Sequence, residues 1–123
     1  MQTVLLVEDD EHERILYERE LSEEGYRVIV AQNGREAVEK VQQGRPDVVV
    51  LDINMPQMDG LEAMGRILEL FPKTPVIINT AYSSYKESFL SWAADAYVIK
   101  SSNLDELKGR VREALQKTQP QGE

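Results

Sequence analysis

Carboxylates end two of the most apolar segments of this sequence. The segment TVLLVEDD ends in Glu8, Asp9 and Asp10, and the segment VVVLD ends in Asp52. Two like charges about 5 Å apart repel by roughly 3 kcal/mol at an effective dielectric constant near 20. Acids that meet at one site therefore raise one another's pKa or require a cation. Because every ligand here is oxygen, Mg²⁺ is the expected cation, with Mn²⁺ as a substitute.

A simpler interpretation is that these acids stabilise the N-terminus of a following helix through its macrodipole. For Asp10 this interpretation is the preferred one. For Glu8 and Asp9, a meeting with Asp52 across a sheet favours the metal site instead.

Two further segments also end in polar groups, because Thr80 closes PVIINT and Lys100 closes AYVIK. Taken singly, a threonine in a strand is a good β-former, and a lysine after a strand is an ordinary solvated charge. Taken together with the acids, they bring carboxylates, a hydroxyl and an ammonium to one place. No packing rule requires that combination.

The elements that position these groups alternate between short β-branched runs and helical periodicity. The predicted strands are TVLLVE (3–8), RVIVA (27–31), DVVVLD (47–52), PVIINT (75–80) and AYVIK (96–100). Their near-continuous apolar character predicts burial on both faces, as in a parallel sheet. Five helices are expected: about 11–24, from 34 to near Gly44, from Gly60 to before Pro72, from near Ser83 or Ser84, and a last one carrying Leu104, Leu107, Val111 and Leu115.

Five βα units in a row predict an α/β fold with a doubly wound, five-stranded parallel sheet. The flavodoxin-like strand order 2-1-3-4-5 is the favoured arrangement. In that order strands 1 and 3 are neighbours, and ligands bind outside their carboxyl ends. Both groups of acids would therefore lie at the binding crevice of the fold.

Composition limits the classes of function that remain. The chain has 123 residues, of which 41% are hydrophobic, a size and balance typical of one domain. A net charge of −8 weighs against direct nucleic-acid binding. The absence of cysteine excludes disulfides and thiol chemistry, and the single histidine, His12, makes a Ser-His-Asp triad improbable.

The same features predict where the protein works and how far its domain extends. No apolar run approaches the roughly 18 residues of a membrane span, and the N-terminus does not resemble a signal peptide. We therefore expect a cytoplasmic protein that does not enter a membrane. Residues 1–118 are expected to form the domain, and residues 119–123 a frayed terminus or the start of a linker.

The motifs LLVEDD, VVVLDINMPQMDGLE, VIINTAY and ADAYVIK each occupy a consistent βα position. With these motifs the sequence resembles the response-regulator receiver domain, the phosphoacceptor module of two-component signalling. The resemblance extends over about residues 3–117. It implies that Asp52 accepts a phosphoryl group from a phosphohistidine on a sensor histidine kinase or a phosphotransfer protein.

The resemblance also assigns roles to the surrounding residues. It implies that Asp9 binds Mg²⁺ directly, that Glu8 acts largely through water, and that Asp52 and the backbone carbonyl of Asn54 complete the protein ligands. Thr80 matches the hydroxyl that turns toward the phosphoryl group, and Lys100 the ammonium that pairs with it. The charge on a transferring phosphoryl group suits such cations and donors.

In the same family, an aromatic residue at the position of Tyr97 changes rotamer on activation. The resemblance implies a two-state surface that a downstream effector or a fused output domain reads. The domain would also catalyse its own phosphorylation and dephosphorylation, and small acyl phosphates are expected to act as donors.

Two further expectations concern the peptide bond after Lys100 and the side chain of Tyr82. The family usually has a cis proline after the lysine, whereas Ser101 follows Lys100 here, and a cis bond before a non-proline residue costs about 2.5–4 kcal/mol. Tyr82, two residues after Thr80, is expected to limit water access and to lengthen the lifetime of the aspartyl phosphate.

Two other functions fit the same architecture. A flavin-type carrier would need a phosphate loop rich in Gly, Ser and Thr after strand 1, where this chain has EDDEHER. A receiver that no longer accepts phosphate would serve only as an interaction module, although every residue type of an active site is present.

Overall fold

The structure is a computed structural model that describes residues 1–53, 60–81 and 93–118. Within these residues the strands are β1 Thr3–Val7, β2 Arg27–Ala31, β3 Val48–Leu51, β4 Val76–Thr80 and β5 Ala96–Ile99. The helices are α1 Glu11–Glu23, α2 Gly34–Gly44, α3 Gly60–Leu70 and α4 Asp105–Thr118. All five predicted strands are present, each within one or two residues of its predicted ends.

The five strands form one parallel sheet in the order β2-β1-β3-β4-β5. The predicted flavodoxin-like arrangement is therefore confirmed. In the register of the sheet, Val7 of β1 pairs with Leu51 of β3, and Thr80 of β4 pairs with Ile99 of β5. The residues that follow these strands consequently leave the sheet at the same edge.

The inner strands of the sheet are more deeply buried than the two edge strands. Strands β3 and β4 are buried throughout, and β1 is buried from its second residue onward. Strands β2 and β5, at the two edges, are mostly only partly buried. The prediction of burial on both faces therefore holds for the three inner strands, while the edge strands each lack a neighbour on one side.

The alternating side chains of the strands fill two apolar layers, one on each face of the sheet. One layer joins the sheet to α2 and α3, for example through Val41 and Met64. The other joins it to α1 and α4, for example through Leu21 and Val111. This second layer lies directly below the polar residues at the carboxyl edge, because Val4 and Leu6 have the same alternation as Glu8.

Local signals set the ends of the helices as the sequence predicts. Asp10 is the N-cap of α1, and its side chain accepts a hydrogen bond from the backbone N–H of Glu13 at 3.0 Å. Asp10 thus lies at the N-terminus of a helix, as the simpler interpretation expects, and its side chain caps that helix by a hydrogen bond. Gly25, with φ of 97°, takes the left-handed conformation that ends the segment after α1.

The predicted helix that begins near Ser83 or Ser84 falls on residues outside the described part of the chain. Tyr82 and Asn54 lie outside it as well. Across the described ranges, no helix is both long and apolar enough to cross a membrane.

Gly60 allows the first turn of α3 to lie directly against the end of β3. A Cβ atom at Gly60 would lie 2.2 Å from the backbone oxygen of Asp52 and 2.4 Å from the Cα of Ile53. The Gly60 N–H also donates a hydrogen bond to the Ile53 carbonyl at 3.1 Å. Because the obstructing atoms belong to the backbone, a side chain here would displace the segment that carries Asp52.

We expect Gly60→Ala to lower the free energy of unfolding by roughly 1–3 kcal/mol, as overpacking at a tight contact does. Gly65→Ala is the matched control, because Gly65 lies in the same helix and a Cβ atom there would meet nothing within 4 Å. That control should be neutral or stabilising by up to about 1 kcal/mol. Urea denaturation of both variants measures the difference, and equal midpoints would contradict the close-contact argument.

Candidate functional site

The acids at the ends of β1 and β3 meet because these strands are neighbours in the sheet. The Glu8 N–H donates to the carbonyl of Ala31 at 3.0 Å, and the Asp52 N–H donates to the carbonyl of Val7 at 3.2 Å. One carboxylate oxygen each from Glu8, Asp9 and Asp52 lies within 4.8 Å of the others. The predicted convergence of these side chains is confirmed.

The three acids differ sharply in their exposure to solvent. Glu8 is 1% exposed and Asp52 is 7% exposed, whereas Asp9 is an exposed residue. The group therefore has two carboxylates enclosed by the protein and a third at its solvent side. Carboxylate oxygens at this spacing could hold a divalent cation that retains some of its water.

Lys100 lies among these acids. Its Nζ is 2.9 Å from Glu8 Oε1, 2.9 Å from Asp52 Oδ2 and 3.1 Å from Glu13 Oε2. The lysine side chain is only 11% exposed. A lysine at the end of an edge strand is thus an enclosed ammonium that partly neutralises the acids.

Backbone and side-chain contacts hold this arrangement in place. The Lys100 N–H donates to the carbonyl of Thr80 at 2.8 Å, which joins the ends of β4 and β5. The other oxygen of Glu8, Oε2, accepts a hydrogen bond from the Asp10 N–H at 3.3 Å. Arg14 donates to the carbonyl of Glu8 at 3.2 Å, which joins α1 to the end of β1.

Burial and the lysine act in opposite directions on Glu8. Burial raises the pKa of the Glu8 carboxyl to about 7, and the hydrogen bond and charge of Lys100 reduce the size of that rise. Burial also lowers the pKa of Lys100. The hydrogen bonds and attraction of Asp52 and Glu8 outweigh that effect, so its pKa lies above the ordinary value. Lys100 is therefore charged at neutral pH.

The other predicted site residues, Thr80 and Tyr97, have different surroundings. Thr80 is completely buried at the end of β4. Tyr97, on β5, is partly buried and packs against the apolar layer that includes Met64 and Ile78. The peptide bond between Lys100 and Ser101 is trans, since the described residues contain no cis peptide bond.

Glu13 is a member of the site that the sequence analysis did not identify. It comes from the first turn of α1, five positions beyond Glu8, and its contact with Lys100 joins residues 87 positions apart. The sequence contains only a weak signal for it, since an acid in the first turn of a helix has an ordinary electrostatic explanation. The first turn of α1 and the residue that follows β5 both lie at the carboxyl edge of the sheet, and the two long side chains meet there.

A family model matches most of the chain. The model of the response regulator receiver domain matches residues 4–112. Among curated proteins, response regulator MprA of Mycolicibacterium vanbaalenii is 40% identical over 119 residues, which cover 95% of this chain and 52% of that protein. The chain therefore spans about half the length of the curated relatives it matches.

Solved structures of response regulators are similar to this chain in fold. Response regulator protein TrrA from Thermotoga maritima, in complex with Mg²⁺-BeF, has a TM-score of 0.91 and 46% identity, covering 94% of this chain and all of that one. TrrA in complex with histidine kinase ThkA has a TM-score of 0.88 at 46% identity, and the match covers 94% of this chain and 99% of that one. A CheY-like receiver domain protein from Methanospirillum hungatei has a TM-score of 0.89 at 29% identity, covering 95% of each chain.

The buried carboxyl of Glu8 gives a prediction for stability against pH in metal-free protein. The pKa of Glu8 is about 7 in the folded protein, above its ordinary value of 4.5, so between these values the folded state holds a proton that the unfolded state has released. The free energy of unfolding should therefore fall as the pH rises through this interval. Glu8→Gln removes the titrating group and should flatten the decline.

Urea denaturation in the presence of a chelator, at about pH 5 to about pH 8, measures both proteins. Added Mg²⁺ should restore stability most strongly at the upper end, because metal ligands must be ionised. An equal decline in the wild type and Glu8→Gln would show that another group is responsible.

Proposed function

Because this chain belongs to the response regulator receiver domain family, we propose that it is a phosphoacceptor switch in which Asp52 receives a phosphoryl group from a sensor histidine kinase. The observation that carries the proposal is the position of Asp52. Its Oδ2 lies 2.9 Å from the ammonium of Lys100, within a group of carboxylates that could hold a divalent cation.

Asp52 is the proposed nucleophile. One of its carboxylate oxygens attacks phosphorus, the bond from phosphorus to the donor atom breaks, and the electron pair of that bond leaves with the donor. The transferring group is loosely bonded at the transition state and its charge lies on three equatorial oxygens. Positioned cations and donors therefore do most of the catalytic work.

Lys100 supports the transfer in two ways. Its hydrogen bond to Asp52 Oδ2, at 2.9 Å, fixes the orientation of the nucleophile before the donor arrives. Its ammonium also lies close enough to Asp52 to meet the negative charge of an arriving phosphoryl group. Because Lys100 is largely enclosed, this attraction is less screened by water than that of a surface lysine.

Mg²⁺ is the cofactor that these residues would hold. The donor set fits it, since Glu8, Asp9 and Asp52 offer only carboxylate oxygens and Asp9 is exposed, which leaves room for bound water. When bound, the ion supplies positive charge that opposes both the crowding of the acids and the charge of the phosphoryl group. Mn²⁺ is proposed as a substitute, and the carbonyl of Asn54, outside the described residues, as a further ligand.

Thr80 and Tyr97 are the proposed switch residues. The backbone of Thr80 is joined to that of Lys100, so a movement of the Thr80 hydroxyl toward a phosphoryl group would act on the ends of both β4 and β5. Tyr97 lies on β5, three residues before Lys100, and is partly buried against the core. A change at the carboxyl edge can thus reach β5, at the edge of the sheet.

The proposed partners follow from the relatives. The structural relative TrrA is found in complex with a histidine kinase, which supports a kinase or phosphotransfer protein as the phosphoryl donor. The curated relatives are about twice as long as this chain, which supports a fused output domain or a separate effector as the receiver of the signal. Direct contact with nucleic acid or membrane is not part of the proposal.

Three narrower expectations belong to the same proposal. Residues 1–118 form the receiver domain, with 119–123 as its terminus or the start of a linker. The domain catalyses its own dephosphorylation as well as its phosphorylation. The cytoplasmic location predicted from the composition stays a prediction.

Asp52→Asn should abolish the mass gain of one phosphoryl group when the protein is incubated with acetyl phosphate and Mg²⁺. The amide lacks the nucleophilic carboxylate, so no aspartyl phosphate can form. Intact-protein mass spectrometry measures the gain directly.

Asp10→Asn is the matched control, because it makes the same chemical change next to the site and asparagine caps a helix as well as aspartate does. It should gain the phosphoryl group as the wild type does. A gain that persists in Asp52→Asn would place the acceptor elsewhere, and no gain in the wild type would leave only an interaction module.

Asp9→Asn should weaken Mg²⁺ binding by about tenfold or more, since a ligand and a full negative charge are lost from an oxygen site. Isothermal calorimetry with MgCl₂ measures the affinity, with Asp10→Asn again as the control of equal charge. Addition of EDTA to the wild type should stop phosphorylation by acetyl phosphate. Unchanged affinity in Asp9→Asn would remove this residue from the metal site.

A further inference from the structure

The ammonium of Lys100 has no hydrogen-bonding capacity to spare. A lysine ammonium has three N–H donors, and Lys100 Nζ is within 3.1 Å of three different carboxylates, those of Glu8, Asp52 and Glu13. We propose that Glu13 is a positioning residue that restrains Lys100 in the resting protein and competes with the phosphoryl group for its ammonium. The inference rests on the proposed phosphoacceptor function.

The contact of Glu13 with Lys100 replaces an ordinary local role. Asp10 at the N-cap and Glu13 three residues later have the spacing of a capping box, in which the glutamate side chain accepts from the N-cap N–H. Here the Asp10 N–H donates to Glu8 Oε2 at 3.3 Å instead. Glu13 Oε2 accepts from Lys100 at 3.1 Å. The side chain of Glu13 therefore serves the site, and Glu8 takes over its role at the cap.

Glu13 is also the partner that Lys100 can release most easily. The side chain of Glu13 is 37% exposed, whereas those of Glu8 and Asp52 are 2% and 8% exposed. A carboxylate that loses the lysine is resolvated by water only if water can reach it. An ammonium that keeps its bond to Asp52 and gains one to a phosphoryl oxygen must give up a partner, and Glu13 is the one at the solvent side.

The charge of Glu13 acts in the same direction. A phosphoryl donor is an anion, and Glu13 adds a fourth carboxylate near the single ammonium of Lys100. Removing that charge should favour the approach of the donor, and the benefit should shrink at high salt because Glu13 is partly exposed. Glu13 would thus set how readily the resting domain accepts phosphate.

We expect Glu13→Gln to raise the second-order rate constant for phosphorylation by acetyl phosphate by roughly two- to fivefold, the range for one partly exposed ion pair. The affinity for beryllofluoride, which mimics the bound phosphoryl group without any covalent transfer from a donor, should rise by a similar factor. Mass spectrometry measures the rate of phosphorylation, and fluorine NMR measures the affinity for beryllofluoride. Both experiments use saturating Mg²⁺. A purely structural role would change the urea midpoint and leave both of these readouts in place.

Two variants distinguish the effect of the contact between Glu13 and Lys100 from the effect of negative charge near the site. Glu11→Gln is the matched control, because Glu11 is an exposed acid in the same first turn of α1 and the contacts of Lys100 are with Glu8, Asp52 and Glu13. It should leave the rate unchanged. Glu13→Asp keeps the charge but is one methylene shorter, so it should lose the contact and accelerate phosphorylation, by less than Glu13→Gln, which also removes the charge.

The outcomes distinguish this inference from the proposed function. If the wild type gains a phosphoryl group and Glu13→Gln gains it at the same rate, Glu13 has no positioning role and the phosphoacceptor function stands. If Glu13→Asp behaves like the wild type, or Glu11→Gln accelerates as much as Glu13→Gln, general charge and not the contact is responsible. If the wild type gains no phosphoryl group, the proposed function itself is wrong.

Discussion

The enclosed ion group around Lys100 is the interaction on which the rest of the site depends. Parallel strands that end at one edge bring Glu8 and Asp52 together, and their charges repel strongly in a place that water barely reaches. The ammonium of Lys100 reduces that repulsion through contacts of 2.9 Å with each. Without it, the repulsion between these two enclosed carboxylates would be opposed by less positive charge, and uncompensated buried charge is strongly destabilising.

The ammonium of Lys100 neutralises only part of the negative charge at the site. One ammonium faces several carboxylates, so negative charge remains at the site, and burial raises the pKa of Glu8 because water barely reaches its charged form. A bound divalent ion would relieve the same repulsion from the solvent side, near Asp9. The stability of the fold and the binding of such an ion would therefore depend on the same set of charges around Asp52.

The backbone around the site is held by contacts that leave little freedom. Gly60 lies against the carbonyl of Asp52, and the Lys100 N–H bonds to the carbonyl of Thr80. Asp52 and the ammonium of Lys100 are thus positioned by the sheet and by α3, while Glu13 comes from α1.

The sequence by itself determined the strands, their order and the acids at their ends, because alternation of apolar runs with helical periodicity admits few arrangements and the acids directly follow the apolar runs. It also identified Asp10 as a cap, since capping depends on neighbouring residues alone. Only the tertiary structure decided that Lys100 is enclosed among three carboxylates, and that Glu13 is one of them. That contact joins positions 87 apart in the chain, and its existence depends on the distance across the carboxyl edge of the sheet from the end of β5 to the first turn of α1, which no local pattern of residues specifies.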